Sequence, residues 1–309
     1  MTADDAPEQV IELLIDSGRL AEARAQLSGE LPTSSPSPEV RYLEAKILFK
    51  ERKFRESLEI LDSLVPLRGW PNLAAVDSQP VEGVVRRLRM KSLFLAAKNF
   101  VLLDRLDVAE PLLLAARQIA PEDHLLHFHL GLLYFSTSRF AAAESAFTNV
   151  VKLHPSFYKA HELLGLSHEE LGKFELALSS YRTAIELGNL QNQRDGSPYL
   201  RLAKLLLARN QNRESLPVLE EAAGRLSDCA EAFFLLGKVL NSLARAAEAE
   251  NALQRSVTCD GHYADPHYLL SRIYLAQGRN AEAAQQARIF QQLKAREPTN
   301  VAKPLAWEP

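Results

Sequence analysis

A small side chain recurs along this sequence at a nearly constant interval, and that interval constrains the fold more than any other feature. The small residue follows an apolar pair at Ala97, Gly131, Gly165, Ala203, Gly237 and Ser271, with spacings of 34, 34, 38, 34 and 34 residues. A second series lies twelve residues further on, and every member is Ala or Ser: Ala23, Ser57, Ala109, Ala143, Ala177, Ser215, Ala249 and Ala283. A fixed period of this length is typical of repeat architectures, in which each unit packs against its neighbours.

Each repeat contains two stretches with helical spacing. In the fourth repeat, Ala143, Phe147 and Val150 recur at steps of four and three residues, which places them on one helical face. A turn residue separates the two stretches in six repeats, and most of these residues tolerate the left-handed conformation that ends a helix: Gly18, Asp104, Ser138, Gly172, Asn210 and Gly278. Arg52 and Ala244 depart from this rule in the second and seventh repeats. The pattern predicts paired helices that cross at the two small residues, where the backbones approach closely.

The fourth repeat resembles the tetratricopeptide repeat. The family pattern of an aromatic, Leu-Gly, Tyr, Ala, Phe and a terminal Pro is matched by His127, Leu130, Gly131, Tyr134, Ala143, Phe147 and Pro155. The resemblance implies an all-α fold, a right-handed α-solenoid of about eight 34-residue helix-turn-helix repeats. The units run over residues 4–37, 38–71, 90–123, 124–157, 158–191, 196–229, 230–263 and 264–297. In this family the first helices line a concave groove, so the resemblance implies a binding platform without specifying a ligand.

Interruptions of the period divide the chain into four parts. These are the less regular repeats one and two in 1–71, an insertion in 72–89, repeats three to eight in 90–297, and a C-terminal tail in 298–309. The prolines at 71 and 80 predict a loop in the insertion, and a helical pattern starts at Glu82. The first helix of repeat three should therefore begin about two turns early. The four extra residues within 188–196 predict a lengthened turn.

The tail contains three prolines and is too short and broken for a stable helix. We expect Leu305 and Trp307 to fold back on the last helix near Ala287 and Phe290, or else to mediate self-association.

Sequence motifs for catalysis and cofactor binding are absent. Neither a nucleotide-binding glycine loop nor a G-x-S-x-G elbow occurs, and the HELLG stretch at 161–165 lacks the second His of a zinc protease. His127 and His129 lie two residues apart on a helix and point to different faces, which favours structural histidines over a metal site. Cys229 and Cys259 are expected to be reduced. We therefore predict a protein without enzymatic activity, cofactor or metal.

Composition narrows the class of partner. The net charge is −3 and the pI is near 6.3, so the chain has no general attraction to nucleic acid or to anionic membrane. No run of 18 apolar residues occurs, which argues against membrane insertion. The N-terminus is acidic where a secretory signal would be basic, so we expect a cytoplasmic location.

The resemblance also assigns side chains to the groove, because its fifth and ninth positions face the ligand in this family. An aromatic and a cation share these positions in several repeats, and the predicted peptide-binding residues are Tyr42, Lys46, Phe94, Lys98, Phe128, Lys204, Phe234, Lys238, Tyr268 and Arg272. Repeats four and five contribute apolar surface or an acid instead, such as Glu162. The alternative is that these aromatics pack between neighbouring first helices while the lysines are solvated.

We therefore expect a non-catalytic scaffold that binds a protein or peptide segment with acidic and apolar residues. The alternative function is a regulatory or sensor module that controls or sequesters a separate catalytic partner. A chaperone-tail-binding role is disfavoured, because the family members with that role carry Asn where this chain carries Lys at the ninth position.

Overall fold

The structure, a computed structural model, describes residues 7–30, 36–65 and 83–296, and these residues form sixteen α-helices and no strand. The helices are α1 (Pro7–Asp16), α2 (Leu20–Glu30), α3 (Pro38–Lys50), α4 (Phe54–Leu64), α5 (Gly83–Leu102), α6 (Leu106–Ile119), α7 (His124–Ser136), α8 (Phe140–Leu153), α9 (Tyr158–Glu170), α10 (Phe174–Leu190), α11 (Ser197–Ala208), α12 (Asn212–Arg225), α13 (Ala230–Ser242), α14 (Ala246–Cys259), α15 (Ala264–Ala276) and α16 (Asn280–Lys294). The predicted all-α fold of eight helix pairs is confirmed.

The chain forms two compact units, Met1–Leu153 with α1–α8 and His154–Pro309 with α9–α16. Within each unit, the two helices of a pair contact each other, and the second helix contacts the first helix of the next pair. This is the arrangement of an α-solenoid, in which each repeat buries its apolar face on its neighbours. Residues 66–82 lie outside the described part of the chain, so the loop predicted in the insertion stays a prediction.

A left-handed residue connects the two helices of every pair. The six predicted turn residues all have positive φ, and so do Arg52 at 64° and Ala244 at 59°. The turn geometry is therefore kept even where the sequence departs from Gly, Asn, Asp or Ser. A side chain with a Cβ atom is strained in this region, by about 1–2 kcal/mol for ordinary residues.

The predicted crossing points of the paired helices are confirmed. All eight residues of the second small series are buried, with at most 1% of their surface exposed. A Cβ atom added to Gly131 would lie 2.5 Å from the Phe147 ring, and one added to Gly237 would lie 2.6 Å from Leu253. Two serines use the close approach for a hydrogen bond across the crossing: Ser57 donates to the Ala45 carbonyl at 2.8 Å, and Ser271 donates to the Ala283 carbonyl at 2.9 Å.

The predictions for the two interruptions of the period, at 72–89 and within 188–196, agree with the structure to different degrees. Helix α5 begins at Gly83, about two turns before residue 90, as predicted. The lengthened turn predicted within 188–196 is confirmed in part: α10 continues to Leu190 and takes up part of the extra sequence as helix, and the six residues 191–196 connect it to α11. Gly188 is buried within α10 and does not end this helix. The left-handed residue comes later, at Asn192.

Candidate functional site

The predicted groove residues lie on the first helix of each pair, which is α1, α3, α5 and α7 in the first unit and α9, α11, α13 and α15 in the second. The two sets differ in how much of each side chain is accessible, so the units are described in turn.

In the first unit, two of the three predicted aromatic anchors are buried. Phe128 has 1% of its surface exposed, and its ring lies 6.0 Å from the Phe147 ring and 5.7 Å from the His129 ring. Tyr42 is also buried, and the burial raises the pKa of its hydroxyl. The prediction that Phe128 and Tyr42 are accessible anchors is therefore wrong, because helices of the same unit cover both rings. These residues belong to the hydrophobic core.

Lys46, the cation predicted beside Tyr42, is bound within the first unit. Its Nζ lies 3.1 Å from a Glu12 carboxylate oxygen and 2.8 Å from an Asp16 oxygen, and only 15% of the side chain is exposed. Lys91 reaches the same Glu12 carboxylate at 3.0 Å. Partial burial raises the pKa of Glu12, but the hydrogen bond from Lys91 and the charge of Lys46 outweigh it, so the pKa is lowered. The lysine charge is thus compensated before any ligand arrives.

Phe94 and Lys98 are half-buried on α5. The Phe94 ring lies 4.7 Å from the His129 ring in an edge-to-face arrangement, and the Lys98 Nζ lies 5.1 Å from the centre of the Phe49 ring and 5.9 Å from that of Phe94. Both side chains therefore have partners within their own unit, and neither forms an open anchor.

The second unit begins with a buried carboxylate rather than with an acid that faces a ligand. Glu162 has 1% of its surface exposed; it accepts a hydrogen bond from Arg201 Nε at 2.8 Å and lies 2.9 Å from Lys159 Nζ. Lys159 also contacts Asp195 at 2.9 Å. The Asp195 carboxylate accepts a hydrogen bond from the Ser197 amide at the start of α11. These four charged side chains join α9 to α11, so the acid expected in the groove of repeat five is not accessible.

The last three repeats are different, because their groove residues remain accessible. Lys204 is half exposed and pairs with Glu231 at 2.8 Å. Tyr268 is 45% exposed, and the Arg272 guanidinium lies 5.9 Å from the centre of its ring. Lys238 and Arg272 are exposed, and neither forms an ion pair with a residue in the described part of the chain. The structure therefore brings Phe234 and Lys238 on α13 together with Tyr268 on α15.

A pocket of about 270 Å³ lies at this end of the second unit, and we call it the aromatic pocket. Its walls are Phe234, Lys238, Asp265, Tyr268, Leu269 and Phe290. The Tyr268 and Phe290 rings lie 5.3 Å apart at an angle of 42°, and the half-buried Phe234 ring contacts Tyr263 at 5.2 Å. Asp265 pairs with Lys294 at 3.2 Å, which leaves Lys238 as a cation available at the pocket wall.

The assignment by groove position missed Phe290, because this residue lies on the second helix of its pair. Comparison of equivalent positions in the repeats could have identified Phe290 from the sequence. The equivalent position in five other repeats holds a small residue with no exposed surface: Ala116, Val150, Ala184, Ala222 and Ser256. In repeats three to seven, this position holds a small and covered side chain. A large aromatic side chain in repeat eight therefore indicates that the surface differs there.

The arrangement of this site suits non-covalent binding. Aromatic walls can bury an apolar side chain, and cations beside them can pair with an acid or lie over a ring. Among residues 7–30, 36–65 and 83–296, no group of three His, Cys, Asp or Glu side chains is placed to hold a metal ion. Cys229 and Cys259 are free thiols. His127 and His161, one repeat apart, each donate from Nε2 to the carbonyl of a preceding proline at 2.9 Å, a structural role as predicted.

No helix in the described ranges is both long enough and apolar enough to cross a membrane.

Comparison with known proteins gives matches at the level of the repeat and of the fold. The tetratricopeptide repeat model matches residues 128–192 and 200–264. No curated protein sequence matches the chain. The solved structure of PilF from Pseudomonas aeruginosa is 12% identical, with 69% of this chain and 99% of that chain covered and a TM-score of 0.58. YrrB, described as a TPR protein with an unusual peptide-binding site, is 18% identical over 60% of this chain and 93% of its own, with a TM-score of 0.52.

A third structure, MamA from residue 41 onward from Desulfovibrio magneticus RS-1, is 18% identical over 56% of this chain and 96% of its own, with a TM-score of 0.50. At these identities the structural likeness shows the fold alone. The helix pairs, the left-handed turns and the small residues at the crossings agree with the repeat that the family model matches. The repeats within the two matched segments are tetratricopeptide repeats, and the described helix pairs share the fold of that repeat.

Proposed function

We propose that the chain is a non-catalytic interaction protein that binds a peptide segment on the last three helix pairs of its second unit. The proposed binding residues are Lys204, Phe234, Lys238, Tyr268, Arg272 and Phe290. The observation that carries the proposal is the aromatic pocket, where an exposed tyrosine lies with Lys238, a cation that forms no ion pair with a described residue. Arg272 lies outside the pocket lining, with its guanidinium 5.9 Å from the centre of the Tyr268 ring. Tetratricopeptide repeat proteins in general mediate protein–protein interactions, which supports this class of function.

The chemistry of the pocket supports a particular class of ligand. A large apolar or aromatic side chain would fill the space between Phe234, Tyr268 and Phe290, and an Asp or Glu close to it in sequence would pair with Lys238 or Arg272. YrrB is described as having a peptide-binding site, and a peptide ligand is the corresponding proposal for this chain. We therefore propose an extended segment with an aromatic anchor flanked by acid.

The aromatic residues and the cations should contribute differently to binding. Anchors in desolvated pockets carry more than about 2 kcal/mol at hot spots, whereas exposed ion pairs carry about 0–1 kcal/mol each. The aromatic pocket should therefore determine the dissociation rate. Lys204, Lys238 and Arg272 should mainly accelerate association with an acidic segment and make it sensitive to salt.

A displayed library of random peptides tests this proposal, because selection from it requires no identified partner. The purified full chain is used for the selection, and the enriched sequences are then measured as synthetic peptides. We expect enrichment of an aromatic residue with a neighbouring Asp or Glu, and loss of binding in the Tyr268→Ala and Lys238→Glu variants. Lys152→Glu is the matched control, because it makes the same charge change at an exposed position on α8.

Two results would contradict the proposal. One is a library that yields no enriched sequence for the folded chain. The other is a set of peptides that bind the Tyr268→Ala and Lys238→Glu variants as tightly as the parent. The second result would place the binding surface elsewhere in the chain.

A further inference from the structure

The last described repeat exposes apolar surface at a position that repeats three to seven cover. In repeats three to seven, the position equivalent to Phe290 holds a small residue with no exposed surface. The second helix that carries it contacts the first helix of its own pair, and within each unit it also contacts the first helix of the next pair. In repeat eight the residue is a half-buried phenylalanine whose ring contacts Tyr268 and lines the aromatic pocket. Terminal repeats need a covering segment or a polar outer face. The described residues contribute no such segment at Phe290.

The chain itself continues beyond this surface, with residues 297–309 following α16. The tail could reach the pocket easily. Phe290 lies four residues before the last residue of α16, which is about 6 Å along a helix at ~1.5 Å per residue. The eleven residues 297–307 span up to about 36–40 Å when extended, at ~3.3–3.6 Å per residue.

The composition of the tail matches the chemistry of the pocket. It contains one aromatic residue, Trp307, with Leu305 two residues before it and Glu308 directly after it. An indole ring suits a pocket with aromatic walls and a cation, since ring–ring and cation–ring contacts both favour it. Glu308 would supply an acidic partner for Lys238, which forms no ion pair with a described residue because the nearby Asp265 pairs with Lys294. Pro298 and Pro304 favour an extended backbone, which can lie along a groove.

We propose that residues 305–308 of the same chain occupy the aromatic pocket, with Trp307 between Phe234, Tyr268 and Phe290 and with Glu308 beside Lys238. The tail then competes with the peptide partner, which must displace it. This proposal rests on the proposed function, because it takes the aromatic pocket to be a peptide site. It adds the identity of one ligand and a reason why a partner would need an aromatic residue with an adjacent acid.

Tryptophan fluorescence tests the tail directly. The chain contains two tryptophans, Trp70 and Trp307, so Trp70→Phe leaves Trp307 as the only indole. In that background we expect Trp307 to emit at shorter wavelength than in a synthetic 297–309 peptide, and to be protected from acrylamide. Phe290→Ala, which restores the small residue of the other repeats, and Tyr268→Ala should each expose it. Lys152→Ala is the control that should leave the emission unchanged. An indole as exposed in the folded chain as in the free peptide would overturn the proposal.

Dilution distinguishes the chain's own tail from that of a second copy. Shielding that stays constant over a hundredfold dilution supports an intramolecular contact. Shielding that disappears on dilution overturns the proposal as stated, since the occupant is then the tail of another copy.

A competition experiment gives an independent readout. A labelled 297–309 peptide is titrated against the full chain and against its Trp307→Ala variant. A short flexible connection gives an effective concentration on the order of 1 mM, so the variant should bind the peptide about tenfold more tightly than the parent for an intrinsic Kd near 0.1 mM. Val301→Ala is the matched control and should behave as the parent. Equal affinity for parent and Trp307→Ala would contradict competition by the tail.

The two proposals can fail separately. If library peptides bind at the aromatic pocket while Trp307 stays exposed, the tail proposal is wrong and the proposed function stands. If Trp307 is shielded and no library peptide binds, the proposed function is wrong and the pocket serves only the tail.

Discussion

The same repeat positions are used in opposite ways in the two units. In the first unit, Tyr42 and Phe128 are buried and Lys46 is bound by two acids of α1. In the last three repeats of the second unit, Tyr268 is 45% exposed, and Lys238 and Arg272 form no ion pair with a described residue. An aromatic and a cation one helical turn apart therefore do not define a binding site by themselves. Their neighbours decide whether the pair is core or surface.

The acids of α1 account for much of this difference. Glu12 occupies the ninth position of repeat one, where repeats two and three carry lysine, so opposite charges meet between neighbouring first helices. In repeats seven and eight the same position holds Lys238 and Arg272. Both side chains are positively charged, so neither neutralises the other. Accessible cations of one sign are the condition under which an acidic ligand gains from binding.

Truncation of a ring should produce the largest contrast between the units. We expect Phe128→Ala to lower the free energy of unfolding by about 3–5 kcal/mol, the usual cost of a buried aromatic side chain. Tyr268→Ala should lower it by less than about 1 kcal/mol, because the ring is exposed, yet weaken a selected peptide by more than about 2 kcal/mol. Urea denaturation and fluorescence polarisation measure the two effects. Equal losses of stability would remove the distinction between core and surface rings.

Removal of a lysine should give the next largest contrast. Lys46→Met breaks charge-assisted contacts with Glu12 and Asp16, and we expect it to lower the free energy of unfolding by about 1–2 kcal/mol. Lys238→Met should leave stability unchanged within about 0.5 kcal/mol, since the side chain is a surface cation without an acidic partner among the described residues. It should instead slow association with an acidic peptide and reduce the dependence of that rate on salt. A stopped-flow series in sodium chloride measures this, and an unchanged salt dependence would exclude Lys238 from the encounter.

Acid should weaken both units through different carboxylates. In the second unit, burial raises the pKa of Asp195, but hydrogen bonds from Ser197 and Lys159 lower it by more, and the pKa of Glu12 in the first unit is also lowered. A lowered folded-state pKa stabilises the protein above the ordinary values of 3.8 for Asp and 4.5 for Glu. That stabilisation is lost as the pH falls through the folded-state pKa.

Hydrogen exchange between pH 6 and pH 3 can separate the two carboxylates. Glu12→Gln should reduce the acid sensitivity of α1, α3 and α5, and Asp195→Asn that of α9 and α11. If neither substitution changes the pH dependence, these carboxylates do not control the acid response.

The smallest expected change in the free energy of unfolding concerns a turn residue, and here the substitution should stabilise the protein. Ala244 adopts a φ of 59°, which glycine reaches without strain, so Ala244→Gly should raise the free energy of unfolding by about 0.5–1 kcal/mol. Gly278, at 76°, is the matched reverse case, and Gly278→Ala should be destabilising by a similar amount. Thermal denaturation of both variants checks the pair. Destabilisation by Ala244→Gly would indicate that helix propensity outweighs turn strain at this position.

The repeat register and the turns can be predicted from the sequence because they depend on local geometry. A crossing of two helices needs a small residue wherever it occurs, and a left-handed turn position is fixed by its distance from that crossing. This is why even Arg52 and Ala244 lie in the turn conformation. The start of the lengthened turn at 188–196 is less predictable, because α10 continues further than the repeat period indicates. Gly188 is buried within this helix, and the connection to α11 begins only after Leu190.

The site is less predictable because exposure depends on neighbouring repeats. Position alone assigns Phe128 and Tyr268 the same role, but only contacts with other helices show that one is buried and the other accessible. Phe290 escapes the prediction because the family pattern places groove residues on first helices. Comparison of equivalent positions across the repeats reveals it, since it alone is aromatic in that series.

Hydrogen exchange of the full chain with and without a selected peptide tests most directly whether the binding surface lies at the end of the second unit. The account predicts new protection in α13 (Ala230–Ser242) and α15 (Ala264–Ala276), with none in α3 (Pro38–Lys50) or α5 (Gly83–Leu102). Protection confined to α3 and α5 would contradict it, because the ligand would then bind where the rings are buried and Lys46 is already paired.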